Sequence, residues 1–185
     1  MTNDPDQLLL DRILSGDQNA FADIVEKHKR YAFTIAVKIL LNKPEAEEAA
    51  QDAFIKAYQH LGAFNRQSKF STWLYRIVFN TAITYKRKSK QVFQSIEHTV
   101  IAHPHEGEGT LERTDKQKYV QQAMTKLNEA DRTALSLFYL EEFSLEEIAE
   151  ITNMAANTVK VRIHRARQRL GDELKTILNE EALTL

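Results

Sequence analysis

The chain has 185 residues, of which 43% are hydrophobic and 28% charged, a balance that suits one soluble globular domain or two small ones and excludes a disordered or membrane-embedded chain. Its 25 basic and 26 acidic residues nearly cancel, and the absence of cysteine excludes disulfides, thiolate metal sites and thiol nucleophiles. No apolar run approaches the ~20 residues of a bilayer span, and the opening Met1 to Asp6 lacks the basic and apolar regions of a signal peptide, so the expected location is cytoplasmic.

With only 5 glycines and 3 prolines, the chain has few breakers and favours long helices. A short helix carrying Leu9, Leu10, Ile13 and Leu14 is expected to close at Gly16. Asp17 is a candidate N-cap for a long amphipathic helix on which Phe21, Ile24, Val25, His28, Ala32, Ile35, Ala36, Ile39 and Leu40 recur at spacings of three and four. Pro44 opens a third helix with a slim stripe of Ala46, Ala49, Ala50, Ala53, Phe54 and Ala57. Ser71 is the candidate cap of a fourth, with Leu74, Ile77, Val78 and Thr81 inward.

Residues 91–115 lose the apolar period and gather Pro104, Gly107, Gly109, His and Glu, which predicts a flexible acidic linker between separable domains. Helical signal returns with Tyr119, Val120, Ala123, Met124 and Leu127, then with Ala134, Leu137, Phe138 and Leu140 after a cap at Asn128. Ser144 and Glu147 form a capping box at the start of a short helix. A break near Asn153 precedes a helix from about Ala156 with Val159, Ile163, Ala166 and Leu170 on one face. The fold class read from this order is all-α, with two helical domains, the second containing a helix-turn-helix.

Two stretches contain no acid: residues 61–90 carry seven Lys and Arg, and residues 158–170 carry five. Such stripes are the usual footprint of phosphate contact, whereas a solvated helix face is the plain alternative. The second stripe lies on the second helix of the helix-turn-helix, where long cationic side chains suit a major groove. In the first, aromatic residues interleave with cations from Phe64 to Ile77, a combination suited to single-stranded nucleic acid. Phe70, Trp73, Leu74 and Ile77 also have the spacing of a packed core, and this reading stays open beside the other.

Three segments together carry a specific resemblance. Ala46-Glu-Glu-Ala-Ala-Gln-Asp-Ala-Phe54, then Phe64 through Ser68-Lys-Phe-Ser-Thr-Trp-Leu-Tyr-Arg-Ile77, then Thr158-Val-Lys-Val-Arg-Ile-His-Arg-Ala-Arg-Gln-Arg-Leu170 closely resemble the extracytoplasmic-function class of bacterial sigma factors, in the same order and over nearly the whole chain. The resemblance implies a sigma region 2 domain over residues 1–90, a linker over 91–115 and a sigma region 4 domain over 116–185. It implies a protein that binds core RNA polymerase, reads a two-part promoter and helps to melt the DNA. The expected partners are core RNA polymerase, promoter DNA and an anti-sigma factor, often membrane-bound in the family, with a monomer when free.

Carried over by position, the resemblance makes Glu48, Gln51 and Asp52 core-polymerase contacts. Residues Phe64, Asn65, Arg66, Gln67, Ser68 and Lys69 correspond to the loop that captures a flipped base of the downstream promoter element. Trp73, Arg76 and Asn80 follow on its helix, and Lys86, Arg87 and Lys88 lie near phosphates. Lys160, Val161, His164 and Arg165 match base-facing positions of the upstream-element reader, while Arg162, Arg167 and Arg169 are phosphate or packing residues. The sequence departs from the family at Val161, where a small polar residue is frequent, and at Ala155, where a Ser cap is common.

A dimeric helix-turn-helix regulator would leave the first domain idle, and a sigma-like protein that only sequesters an inhibitor would not need the cations of 158–170. An enzyme is not expected, since no zinc helix, Gly-rich phosphate loop or nucleophile motif is present. His98, His103 and His105 read as linker residues rather than metal ligands, and no metal or cofactor is expected.

Overall fold

A computed structural model of the chain describes residues 4–96, 115–139 and 142–182. Among the described residues the regular elements are helical: α1 (Gln7–Leu14), α2 (Ala20–Leu40), α3 (Lys43–Gln59), a 3-10 turn (Leu61–Ala63), α4 (Phe70–Ile96), α5 (Asp115–Lys126), α6 (Glu129–Tyr139), α7 (Leu145–Thr152) and α8 (Ala156–Ala182).

Helices α2, α3 and α4 pack against one another, with α1 laid on α2. The alanine stripe of α3 makes this possible: Ala46, Ala49, Ala50, Ala53 and Ala57 are buried, and their small side chains let two longer helices approach. The stripes predicted on α2 and α4 face the same core through Ile24, Ile35, Ile39, Leu74 and Val78. Gly16 closes α1 at φ 106°, a conformation glycine adopts without steric cost, as the sequence predicts. The Asp17 carboxylate accepts the Asn19 N–H, but α2 itself begins three residues after Asp17, at Ala20. Between α2 and α3 the turn is tight, with Leu41 in the left-handed region and Asn42 capping α3 through the Glu45 N–H.

The start of α4 differs from the Ser71 cap expected from the sequence. Ser71 falls within the first turn, and the Phe70 N–H donates to the carboxylate of Asp4 at 2.7 Å, brought from the far end of the chain. A remote acceptor can satisfy an orphan helix donor as well as a neighbouring one. Nearby, buried Asp6 pairs with Lys27 and with His28 Nε2, while His28 Nδ1 lies 2.7 Å from the Tyr75 hydroxyl. Burial alone would raise the Asp6 pKa, but the His28 and Lys27 contacts outweigh it and hold that carboxyl below its usual range.

In the second half, α5, α6 and α7 all pack on α8. Asn128 caps α6 by accepting the Asp131 N–H at 2.9 Å, and the Ser144–Glu147 capping box forms in both directions at α7. Asn153, at φ 56°, makes the bend of the helix-turn-helix, and Val159, Ile163 and Ala166 seat α8 on the core.

Two features go beyond the sequence reading. Helix α4 runs to Ile96, into the segment read as linker from residue 91, because Ser89 to Ile96 contain no Gly or Pro to stop it. His98, His103 and His105 lie outside the described residues. The two halves, expected to be separable, are in contact: α7 lies on α4 and α6 on α2. Tyr75 meets Phe143 edge-to-face at 5.6 Å, and Arg132, buried, donates to the Lys38 carbonyl at 2.7 Å and to the Leu127 carbonyl at 3.0 Å.

Candidate nucleic-acid interface

The first basic surface is built where the 3-10 turn hands the chain to α4. Phe64, Phe70 and Trp73 form an aromatic triangle with ring centroids 5.3 to 5.6 Å apart. Phe70 is fully buried while Phe64 and Trp73 are half-buried, so Trp73 both packs, as its spacing predicts, and shows part of its ring to solvent. Between them the loop is locally constrained. Asn65 Oδ1 accepts the Gln67 N–H, and Arg66 adopts φ 58°, a left-handed conformation unusual for a side chain of its size. Arg66 is anchored there by an ion pair of 2.7 Å to Asp11 on α1.

The cations of this surface are largely engaged. Lys69 pairs at 2.7 Å with Glu147, the capping carboxylate of α7, which raises the Lys69 pKa. Arg76 reaches Asn153 at 3.4 Å, and Lys86 donates to the Ile39 carbonyl at 3.0 Å. Asn80, Arg87 and Lys88 are exposed. The helix-turn-helix thus touches the surface on which the sequence places downstream-element recognition.

On α8 the arrangement is different. Lys160, His164 and Arg165 are exposed and, among the described residues, have no hydrogen-bond or ion-pair partner. Val161 lies beside them, 47% exposed. Arg162 and Arg169 turn to one buried carboxylate, Asp131 of α6, Arg162 at 3.2 Å and Arg169 more closely. Arg167 makes a long contact of 3.4 Å to the Tyr139 hydroxyl. Asn157, Thr158, Val161 and Arg165 line a cleft of about 470 Å³ beside these ion pairs. Ala155 offers no side-chain acceptor, and its carbonyl takes the Val159 N–H.

The acidic flank of α3 is the third candidate surface. Glu48 and Gln51 are exposed, whereas Asp52 is half-buried and accepts the Tyr85 hydroxyl at 2.7 Å. That bond, with burial and the charges of Asp52 and Glu48, pushes the Tyr85 pKa up to about 12.

Known families and relatives match most of the chain. Residues 24–92 match Sigma-70 region 2, and residues 117–170 match Sigma-70, region 4. The chain is 37% identical over 177 residues to the ECF RNA polymerase sigma factor SigW of Bacillus subtilis, covering 90% of this chain and 95% of that one. It belongs to the extracytoplasmic-function sigma factors. The RNA polymerase sigma-H factor of Pseudomonas aeruginosa is 35% identical, covering 97% of this chain and 99% of that one. Among solved structures, the sigma factor RpoE of Bartonella quintana, in complex with the anti-sigma factor NepR, aligns with a TM-score of 0.68 at 27% identity, over 84% of this chain and 96% of that one.

This sigma factor binds RNA polymerase and directs promoter-specific initiation of transcription; it is an initiation factor and not an enzyme. No helix among the described residues is long and apolar enough to cross a membrane. Sequence reasoning missed three polar residues that shape its surfaces: Asp4, Asp131 and Glu147 in its role toward Lys69. Each acts across tens of positions, so periodicity and local motifs carry no trace of the pairing. For Asp131, the one available signal was an acid at the start of α6 facing a helix rich in arginine.

Proposed function

We propose that the two basic surfaces divide promoter recognition between them. The unpartnered group Lys160, His164 and Arg165 on the second helix of the helix-turn-helix carries this reading, because exposed cations not bonded within the protein are available to base edges and phosphates. Val161 adds apolar contact suited to a thymine methyl. Arg167 stands at the margin of that face; Arg162 and Arg169 are its buttresses.

The loop from Phe64 to Lys69 captures an extruded base of the downstream element. Asn65, Gln67 and Ser68 supply hydrogen bonds to the base edge, and Arg66 and Lys69 meet neighbouring phosphates. Trp73 closes one side of the pocket, Arg76 and Asn80 extend the contact along α4, and Lys86, Arg87 and Lys88 follow the backbone. Glu48, Gln51 and Asp52 face core RNA polymerase, with Asp52 also fixing Tyr85. The protein acts in the cytoplasm, is monomeric when free, and is held inactive by an anti-sigma factor anchored at the membrane; the RpoE–NepR complex supports an anti-sigma partner, without bearing on its anchoring.

The test is transcription by core polymerase from a library randomised at the downstream element, with permanganate footprinting of unpaired thymines. Grafting the loop of a related sigma factor onto positions 64–69 should change the preferred downstream base while core binding is kept. Identical promoter choice by graft and parent would remove base capture from the loop.

A further inference from the structure

Asp131 is 2% exposed, yet it holds a carboxylate to which three donors converge: Arg162 Nη1, Arg169 Nη1 and Asn128 Nδ2. Arg162 and Arg169 are seven positions apart, two turns of α8, so one carboxylate on α6 reaches both along a single face. A buried carboxylate stripped of its cations is costly, because nothing else compensates for the lost hydration. Both arginines are therefore held at Asp131 even though Arg169 is half-exposed and could otherwise swing toward a passing phosphate.

We propose that Asp131 sets the specificity of the upstream-element reader by withholding Arg162 and Arg169 from DNA. Of the five Lys and Arg between 158 and 170, it leaves Lys160, Arg165 and Arg167 for the duplex, together with His164. Phosphate contacts add affinity without sequence information, so two fewer of them lower binding to arbitrary DNA more than they lower the preference for the right bases. The same ion pairs fix α8 against α6, and with it the direction in which Arg165 and Val161 project beside the cleft. Asp131 is a positioning residue, acting through α8. The proposal rests on α8 being the DNA-reading helix.

The test uses holoenzyme assembled from core RNA polymerase and the full chain, on a duplex library randomised over the upstream element and on a fixed mixed-sequence duplex. Asp131→Asn should bind the mixed-sequence duplex more tightly, and its plot of log affinity against log salt should steepen by about 1.8, two phosphates at ~0.9 each. Enrichment of the preferred upstream sequence should fall. A purely structural role would weaken both DNAs alike with an unchanged slope, and that result would overturn the proposal. The triple variant D131N/R162Q/R169Q leaves no buried unpaired charge and decides the matter even if D131N fails to fold. It should keep the parent's slope, because the two arginines add no phosphate contacts in the parent; a slope shallower by about 1.8 would mean that they already contact phosphates and would overturn the proposal. Arg165→Ala separates the underlying reading: it should lose preference at one upstream position, and retained preference everywhere would overturn α8 as reader and the role of Asp131 with it.

Discussion

The two acid-free stretches look alike in sequence, and the fold engages a different part of each. Around the start of α4, Arg66, Lys69 and Arg76 are bonded to Asp11, Glu147 and Asn153, partners 55, 78 and 77 positions away. On α8, Lys160, His164 and Arg165 have no partner among the described residues. An acid-free run in a sequence says only that no counter-charge is local. On the proposed reading, Lys69 and Arg76 must surrender their contacts with the helix-turn-helix before they can bond phosphate, whereas Lys160, His164 and Arg165 need no such release.

The largest way to break this contrast is Asp4→Ala. It leaves the buried Phe70 N–H without an acceptor, at a cost of about 1–3 kcal/mol. Calorimetry should show a lower Tm, and promoter opening should suffer while upstream-element preference is kept, since α8 is untouched. Next comes Phe143→Ala, which removes an edge-to-face contact with Tyr75 of the kind contributing about 0.5–1.5 kcal/mol beyond area burial. Spin-label distances between α3 and α8 should lengthen or broaden in the free protein. An unchanged distribution would show that the two halves are held together by other groups, with the α6–α2 bond from Arg132 to the Lys38 carbonyl first among them.

Glu147→Gln is milder, since Gln preserves the capping box and loses only the charge facing Lys69. Lys69 is about half exposed, so the pair contributes at most ~1 kcal/mol, and a double-mutant cycle with Lys69→Gln should give a coupling that shrinks with added salt. The smallest effect is in pH. Burial raises the Glu147 pKa, but the Lys69 hydrogen bond and the Ser144 contacts outweigh it, so the carboxyl titrates below its ordinary 4.5. A depressed carboxylate stabilises the fold above its ordinary pKa and loses that contribution as pH falls through its folded value. The stability difference between parent and Glu147→Gln should therefore be constant near neutrality, begin to shrink near 4.5 and be lost as the pH falls through the lowered folded value.

What was legible in the sequence follows from the range of the interaction. The stripes of α2, α3 and α4, the Asn128 cap, the capping box and the Asn153 bend depend on residues within a few positions, and each formed where its spacing places it. The α4 cap was misplaced because Ser71 is the local candidate and Asp4 the actual acceptor, 66 positions away. The pairing of Asp131 with Arg162 and Arg169 spans 31 and 38 positions, and chain distance hides it equally well. Asp52 shows the mixed case: its motif marks it as a surface residue, while its bond to Tyr85 on α4 draws it half inside.

The carboxylate at Asp4 also bears on where the first domain begins. The match to Sigma-70 region 2 begins at residue 24, and a chain trimmed to that boundary would retain every residue of α3 and α4. It would nonetheless lose Asp4, Asp6 and Asp11, and with them the acceptor for the first donor of α4, the counter-charge beside His28 and the anchor of Arg66. Promoter-opening assays on such a fragment would then measure a loosened loop, and a weak result would describe the trimming rather than the proposed recognition surface.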